Sequence, residues 1–128
     1  LSGLVGSEMC IRDRVLRGGN SGSNYHLEAV QDACSELAGA GLPDRLMVDC
    51  SHANSNKDYR RQGEVLRAVA AQVQKGSTHV MGVMLESHLV EGKQKLGSAL
   101  TYGQSITDGC ISWEQTEKLL REAHGILD

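Results

Sequence analysis

The 128-residue sequence contains no phenylalanine, one tryptophan and three tyrosines, so aromatic residues make up only 3% of it. Its core must therefore rest on Val, Leu, Ile, Met and Ala. Proline is reduced to Pro43 alone, against fifteen glycines, which points to many tight turns between strands and helices. No apolar run approaches the roughly 20 residues that a membrane-spanning helix needs. Basic residues are not in excess. The net charge is −3 and the isoelectric point about 5.9, which argues against a nucleic-acid partner or an anionic membrane surface. The four cysteines, Cys10, Cys34, Cys50 and Cys110, show no Cys-x-x-Cys spacing. In a mixed α/β sequence they read as reduced thiols of a cytoplasmic protein, not as a disulfide framework. The length allows one domain with a modest core.

What is present is organised around residues 46–57. Leu46-Met47-Val48 is a short apolar run, the pattern of a strand buried on both faces. It changes abruptly into Asp49, Cys50, Ser51, His52, Ala53, Asn54, Ser55, Asn56 and Lys57. A strand that ends in a cluster of polar side chains and leads into a helix is how α/β proteins present reactive groups at the carboxyl edge of a sheet.

The rest of the chain alternates in the same manner. Val15-Leu16 reads as a strand tail, left sharply through Arg17-Gly18-Gly19. Leu27, Val30, Cys34 and Leu37 recur at helical spacing, which predicts an amphipathic helix over about 24–39, stopped by Gly39 and Gly41-Leu42-Pro43. Residues 45–50 form the central strand. A second helix is predicted over about 57–74, with Val65, Leu66, Val69, Ala70 and Val73 facing inward and Arg60, Arg61, Glu64, Arg67 and Gln74 facing water. A third strand, again read as continuously apolar, covers 78–86. A long loop reaches about Gly103, and residues 102–108 are polar and turn-like. Ser112-Trp113-Glu114-Gln115 is a capping box opening a helix over 113–126, with Trp113, Leu119, Leu120, Ala123 and Ile126 as its expected inner face. Alternation of this kind argues for a parallel sheet. Three strands do not close a barrel, so the segment is either an open three-layer fold or three βα units of a larger (β/α)8 barrel.

Three potential ligands fall just past the strand ends or in the following loop: His52, Glu86 and Asp108. One imidazole and two carboxylates suit a divalent first-row ion such as Mn, Fe, Co or Zn. Spacing alone leaves the alternative open of a capped strand end, an ordinary surface acid and a helix-flanking aspartate. Arg17 beside two glycines offers a planar fork of donors that an oxyanion can approach closely.

Asp49-Cys50-Ser51-His52-Ala53-Asn54-Ser55-Asn56-Lys57 resembles the DxSHANSxK signature of the class I 3-deoxy-7-phosphoheptulonate (DAHP) synthases. Leu16-Arg17-Gly18-Gly19 is similar to that family's LRGG. Residues 83–92 resemble its VMxESHLxEG, and residues 102–114 its YGxSITDxCIxWE. The resemblance covers about residues 15–127 and implies the last three βα units of a TIM barrel. It further implies a metal-dependent transferase that condenses phosphoenolpyruvate with erythrose 4-phosphate, giving 3-deoxy-D-arabino-heptulosonate 7-phosphate and phosphate at the first step of the shikimate pathway. In this reading His52, Glu86 and Asp108 are metal ligands at the catalytic centre, Arg17 contacts the phosphate of phosphoenolpyruvate, and Asp49 and His88 orient the ligands. The full-length enzyme is expected to be a cytoplasmic homo-oligomer.

The departures also carry information. The loop Ser21-Gly22-Ser23-Asn24-Tyr25 has no proline and one apparent extra residue. The family's cysteine ligand and most of its phosphate-binding basic residues belong to a region absent here, and neither Cys50 nor Cys110 replaces that thiolate. The 128 residues are therefore expected to be inactive alone. Residues 1–14 lack clean periodicity, and residues 5–14 resemble a translated sequencing-adapter tail; a natural leader or linker is the alternative. A non-catalytic α/β module that binds a phosphorylated ligand or a protein partner is the competing reading. It keeps Arg17 and needs no metal.

Overall fold

A computed structural model describes residues 14–128 of the chain. The leader expected over residues 1–14 lies outside them, except for Arg14. That residue is buried, and its carbonyl accepts a 2.7 Å bond from the Met47 amide.

The elements run β1 (Val15–Leu16), α1 (Leu27–Gly39), β2 (Leu46–Asp49), two 3-10 turns (His52–Ser55 and Tyr59–Arg61), α2 (Gln62–Gln74), β3 (Val80–Met84), β4 (Val90–Lys93), β5 (Gln104–Ser105) and α3 (Trp113–Leu127). The strands β1, β2 and β3 form a parallel sheet in that order, with Leu16 opposite Val48 and Asp49 opposite Met84. The expected α/β alternation is thus present. Leu46, Val48 and Cys50 are fully or almost fully buried and join Val30 and Cys34 of α1, Val65, Leu66 and Val69 of α2, Ile111, and Leu119 of α3 in one core cluster. Strand alternation places Met47 and Asp49 on the opposite face of β2. Asp49 therefore reaches the carboxyl edge on the side away from the helices' apolar stripes.

Four expectations are corrected. The second helix begins at Gln62 rather than near Lys57, because Asn56 and Lys57 take left-handed backbone at φ 55° and 60°. Asp58 then caps a separate short turn by accepting from the Arg60 amide. In α1 the helix starts at Leu27, which is 45% exposed, so its buried stripe narrows to Val30 and Cys34. In α3 Trp113 and Leu120 face solvent, and the packed line runs through Thr116 and Leu119. Leu119 lies against Gly63, where an added Cβ would come within 2.9 Å of Leu119 Cδ2, so glycine is what lets α3 approach α2 so closely. Strand β3 is not buried on both faces, since Met81 is exposed.

The pair β4 and β5 was not anticipated from the pattern. These strands are short and polar, and side-chain amides hold them. Gln94 Nε2 donates to the Thr101 and Gln104 carbonyls, and Gln104 Nε2 donates to the Glu91 carbonyl.

Candidate metal centre

The centre is assembled where β2 and β3 end. After Asp49 the chain turns through Cys50 and Ser51 into the turn His52–Ser55. His52 takes φ 50°, a backbone conformation uncommon outside glycine but better tolerated by Asn, Asp and His than by most residues. The turn is tied by a 2.8 Å bond from the Lys57 amide to the His52 carbonyl. The Asp49 carboxylate is buried and engaged at both oxygens. Oδ1 accepts from the Ser51 amide at 2.8 Å, and Oδ2 meets His52 Nδ1 at 2.7 Å. With Nδ1–H donated to Asp49, the lone pair of a neutral imidazole sits on Nε2. This is the carboxylate–histidine arrangement that fixes ring and tautomer behind a metal-binding nitrogen.

Nε2 of His52 faces two carboxylates. Glu86 Oε1 lies 3.2 Å away and Asp108 Oδ2 3.9 Å away, and the three donor atoms all lie within 4.8 Å of one another. Glu86 stands two residues past the end of β3, and its side chain is largely enclosed. Asp108 is presented from the loop after β5 and is mostly exposed. Its neighbour Gly109 packs directly on the Tyr59 ring, where a Cβ would collide. Tyr59 in turn donates from its hydroxyl to Glu91 Oε1 at 3.2 Å. Burial, reinforced by Glu91, holds the Tyr59 phenol above its usual pKa.

The donor set fits a divalent ion. Glu86 Oε1 is buried and has no hydrogen-bond partner among the described residues, despite its 3.2 Å approach to His52 Nε2. A buried carboxylate oxygen without a partner is costly, and a shared cation would satisfy it. Donors bonded to a common ion at about 2.0–2.2 Å stand roughly 3–3.6 Å apart, so the His52–Glu86 separation already suits coordination. Asp108, 3.9 Å from His52 Nε2, has to move in to complete the set, which its exposed loop position permits.

Of the remaining expected site residues, Arg17 is exposed at the end of β1, and its carbonyl accepts from the Asn54 amide at 3.1 Å. His88 is exposed too, its Nδ1 accepting from the Leu89 amide at 2.8 Å, and it does not join the three-residue cluster. Cys50 is fully buried, and burial, with Asp49 adding to it, pushes its thiol up to about 12. Cys110 is likewise raised, chiefly by burial.

The model of the DAHP synthetase I family matches residues 4–121. The chain belongs to the DAHP synthetase I family. It is 51% identical over 110 residues to the phospho-2-dehydro-3-deoxyheptonate aldolase of Haemophilus influenzae, covering 84% of this chain and 30% of that protein. It is 50% identical over 113 residues to the Tyr-sensitive phospho-2-dehydro-3-deoxyheptonate aldolase of Escherichia coli K12, covering 86% of this chain and 32% of that one. Among solved structures, the phospho-2-dehydro-3-deoxyheptonate aldolase of Francisella tularensis superposes with a TM-score of 0.83 at 42% identity, over 89% of this chain and 34% of that one. The chain thus spans about a third of the length of these relatives.

Within this family member, sequence reasoning missed the residues that hold the ligands in place. Asn54 is buried and donates from Nδ2 to the Leu16 and Asp49 carbonyls at 3.0 and 2.9 Å, while its Oδ1 accepts from the Asn24 amide at 2.7 Å. One side chain therefore joins the ends of β1 and β2. Gln62 is fully buried, and its amide binds both backbone groups of Glu86. A signal for Gln62 was present. It precedes Val65, Leu66 and Val69 at helical spacing, so a polar residue occupies the apolar stripe.

Proposed function

We propose that this chain is the carboxyl-terminal three βα units of a TIM-barrel DAHP synthase, condensing phosphoenolpyruvate with erythrose 4-phosphate in the full-length enzyme. The observation that carries this is the convergence of His52 Nε2, Glu86 Oε1 and Asp108 Oδ2 at the carboxyl edge of a parallel sheet, in a chain of this family. Those three residues hold a divalent ion of the Mn, Fe, Co or Zn type, which when bound supplies Lewis acidity toward an aldehyde.

The chain's own groups do the positioning. Asp49 keeps the His52 ring turned so that Nε2 faces the two carboxylates. The same carboxylates, Glu86 and Asp108, supply negative potential where positive charge develops as the enol ether forms a carbon–carbon bond. Arg17 at the end of β1 presents a guanidinium suited to the phosphate of phosphoenolpyruvate. Its loop is locked to the His52 turn through Asn54, so anion site and metal site keep a fixed relation. The full-length enzyme is read as a cytoplasmic homo-oligomer; among the described residues no helix is long and apolar enough to cross a membrane.

The test is phosphate release from phosphoenolpyruvate in the presence of erythrose 4-phosphate, comparing this chain with one extended upstream to the length of its relatives. The extended chain turns over and is silenced by a chelator, while the 128-residue chain does not turn over. An extended chain that stays inactive with added metal contradicts the assignment.

A further inference from the structure

Glu86 follows β3, beyond the last ladder pair with β2, and the only pairing that reaches it among the described residues is the single parallel bridge of Ser87 with Ile111. On the other side it is held by Gln62, the first residue of α2. Gln62 Nε2 donates to the Glu86 carbonyl at 3.0 Å, and the Glu86 amide donates to Gln62 Oε1 at 2.7 Å. The carboxamide thus reproduces the paired donor and acceptor of a neighbouring strand at the place where the strand runs out. Gln62 is 0% exposed, and a buried polar side chain is tolerated only because both its ends are satisfied. The Ile111 amide adds a second donor to the same carbonyl at 3.1 Å. With its main chain held from two sides, Glu86 has a buried Oε1 that no donor among the described residues satisfies.

We propose that Gln62 is a positioning residue for the metal ligand Glu86, keeping Oε1 directed at His52 Nε2 so that the ion finds its carboxylate already in place. The inference rests on the metal reading of His52, Glu86 and Asp108. It predicts that Gln62 acts on metal affinity through Glu86 and through no other ligand.

The experiment is a titration of the whole chain with Mn2+ by calorimetry and with Co2+ by visible absorption, each variant first checked by circular dichroism. Gln62→Met, which keeps length and helix propensity but removes the amide, lowers affinity by about 10–100-fold, the usual effect of losing an outer partner of a ligand. In the Glu86→Ala background the same change has no further effect, whereas in the Asp108→Ala background the loss persists, because only contacting groups couple. Val30→Ala, a core truncation in α1, lowers the melting temperature without changing affinity for the folded chain. Should Gln62→Met not fold, Gln62→Asn keeps the amide but shortens its reach and gives the same ordering. Equal affinity in Gln62→Met and the unsubstituted chain, or an undiminished loss in the Glu86→Ala background, overturns the role of Gln62 and leaves the metal centre standing. No binding by the unsubstituted chain, or binding indifferent to His52→Ala, overturns both.

Discussion

His52 Nε2 and Glu86 Oε1 stand 3.2 Å apart without forming a hydrogen bond, one belonging to the turn after β2 and the other to the exit from β3. Two acceptors held this close repel each other unless a proton or a cation lies between them. A divalent ion shared between the two atoms removes that repulsion, with Asp49 Oδ2 2.7 Å from Nδ1 holding the ring behind it.

His52→Ala and Glu86→Ala each remove one such donor. Each substitution lowers affinity for Mn2+ or Zn2+ by at least about 100-fold, more than the loss of an outer partner costs. Calorimetric titration of the folded variants checks this, and affinity within a few-fold of the unsubstituted chain speaks against a direct contact.

Asp49→Asn keeps the acceptor for the Ser51 amide but replaces the carboxylate facing His52 Nδ1. Metal affinity falls by about 10–100-fold while the circular dichroism spectrum is unchanged. Unaltered affinity would mean that the ring is oriented by the turn alone.

The sheet was legible in the sequence because three apolar runs, each followed by polar residues, report parallel strands regardless of context. Helix α2 was legible in its stripe but not in its start, since the left-handed backbone at Asn56 and Lys57 follows from the turn that positions His52. The three candidate ligands were nameable from their places past strand ends or in the following loop and from family motifs, yet no spacing rule could report that their donor atoms meet. That meeting depends on Asn54 and Gln62, whose long-range bonds span 38 and 24 residues. Local pattern carries no record of such bonds. The exposed Trp113 shows the reverse failure, an apolar residue at an expected inward position that the described elements leave uncovered.

Gly18→Ala tests the lock between the β1 loop and the His52 turn. At φ 78° an added Cβ is strained, and it would lie 2.7 Å from Ala53 Cβ and 2.8 Å from the Asn54 nitrogen. The substitution costs about 2 kcal/mol or more. Gly39→Ala, where a Cβ meets nothing and α1 is ending, is neutral or slightly stabilising. Urea unfolding separates the two; equal stability of both variants refutes the lock.

Cys34 gives a pH dependence. Burial, and then Asp44, raise its pKa above 9.0, so the folded thiol keeps its proton where the unfolded one ionises. Its contribution to stability is complete below about pH 9 and is lost as pH rises through the folded value. Unfolding free energy therefore declines as pH rises above about 9, and Cys34→Ala makes that decline shallower. An identical slope in the variant excludes the thiol as its source.

The most direct measurement is a crystal structure of the chain grown with Mn2+, with diffraction recorded at the manganese edge. The account predicts one anomalous peak bonded at about 2.0–2.3 Å to His52 Nε2, Glu86 Oε1 and an Asp108 carboxylate oxygen. A peak elsewhere, or three side chains left around ordered water in saturating metal, would contradict it.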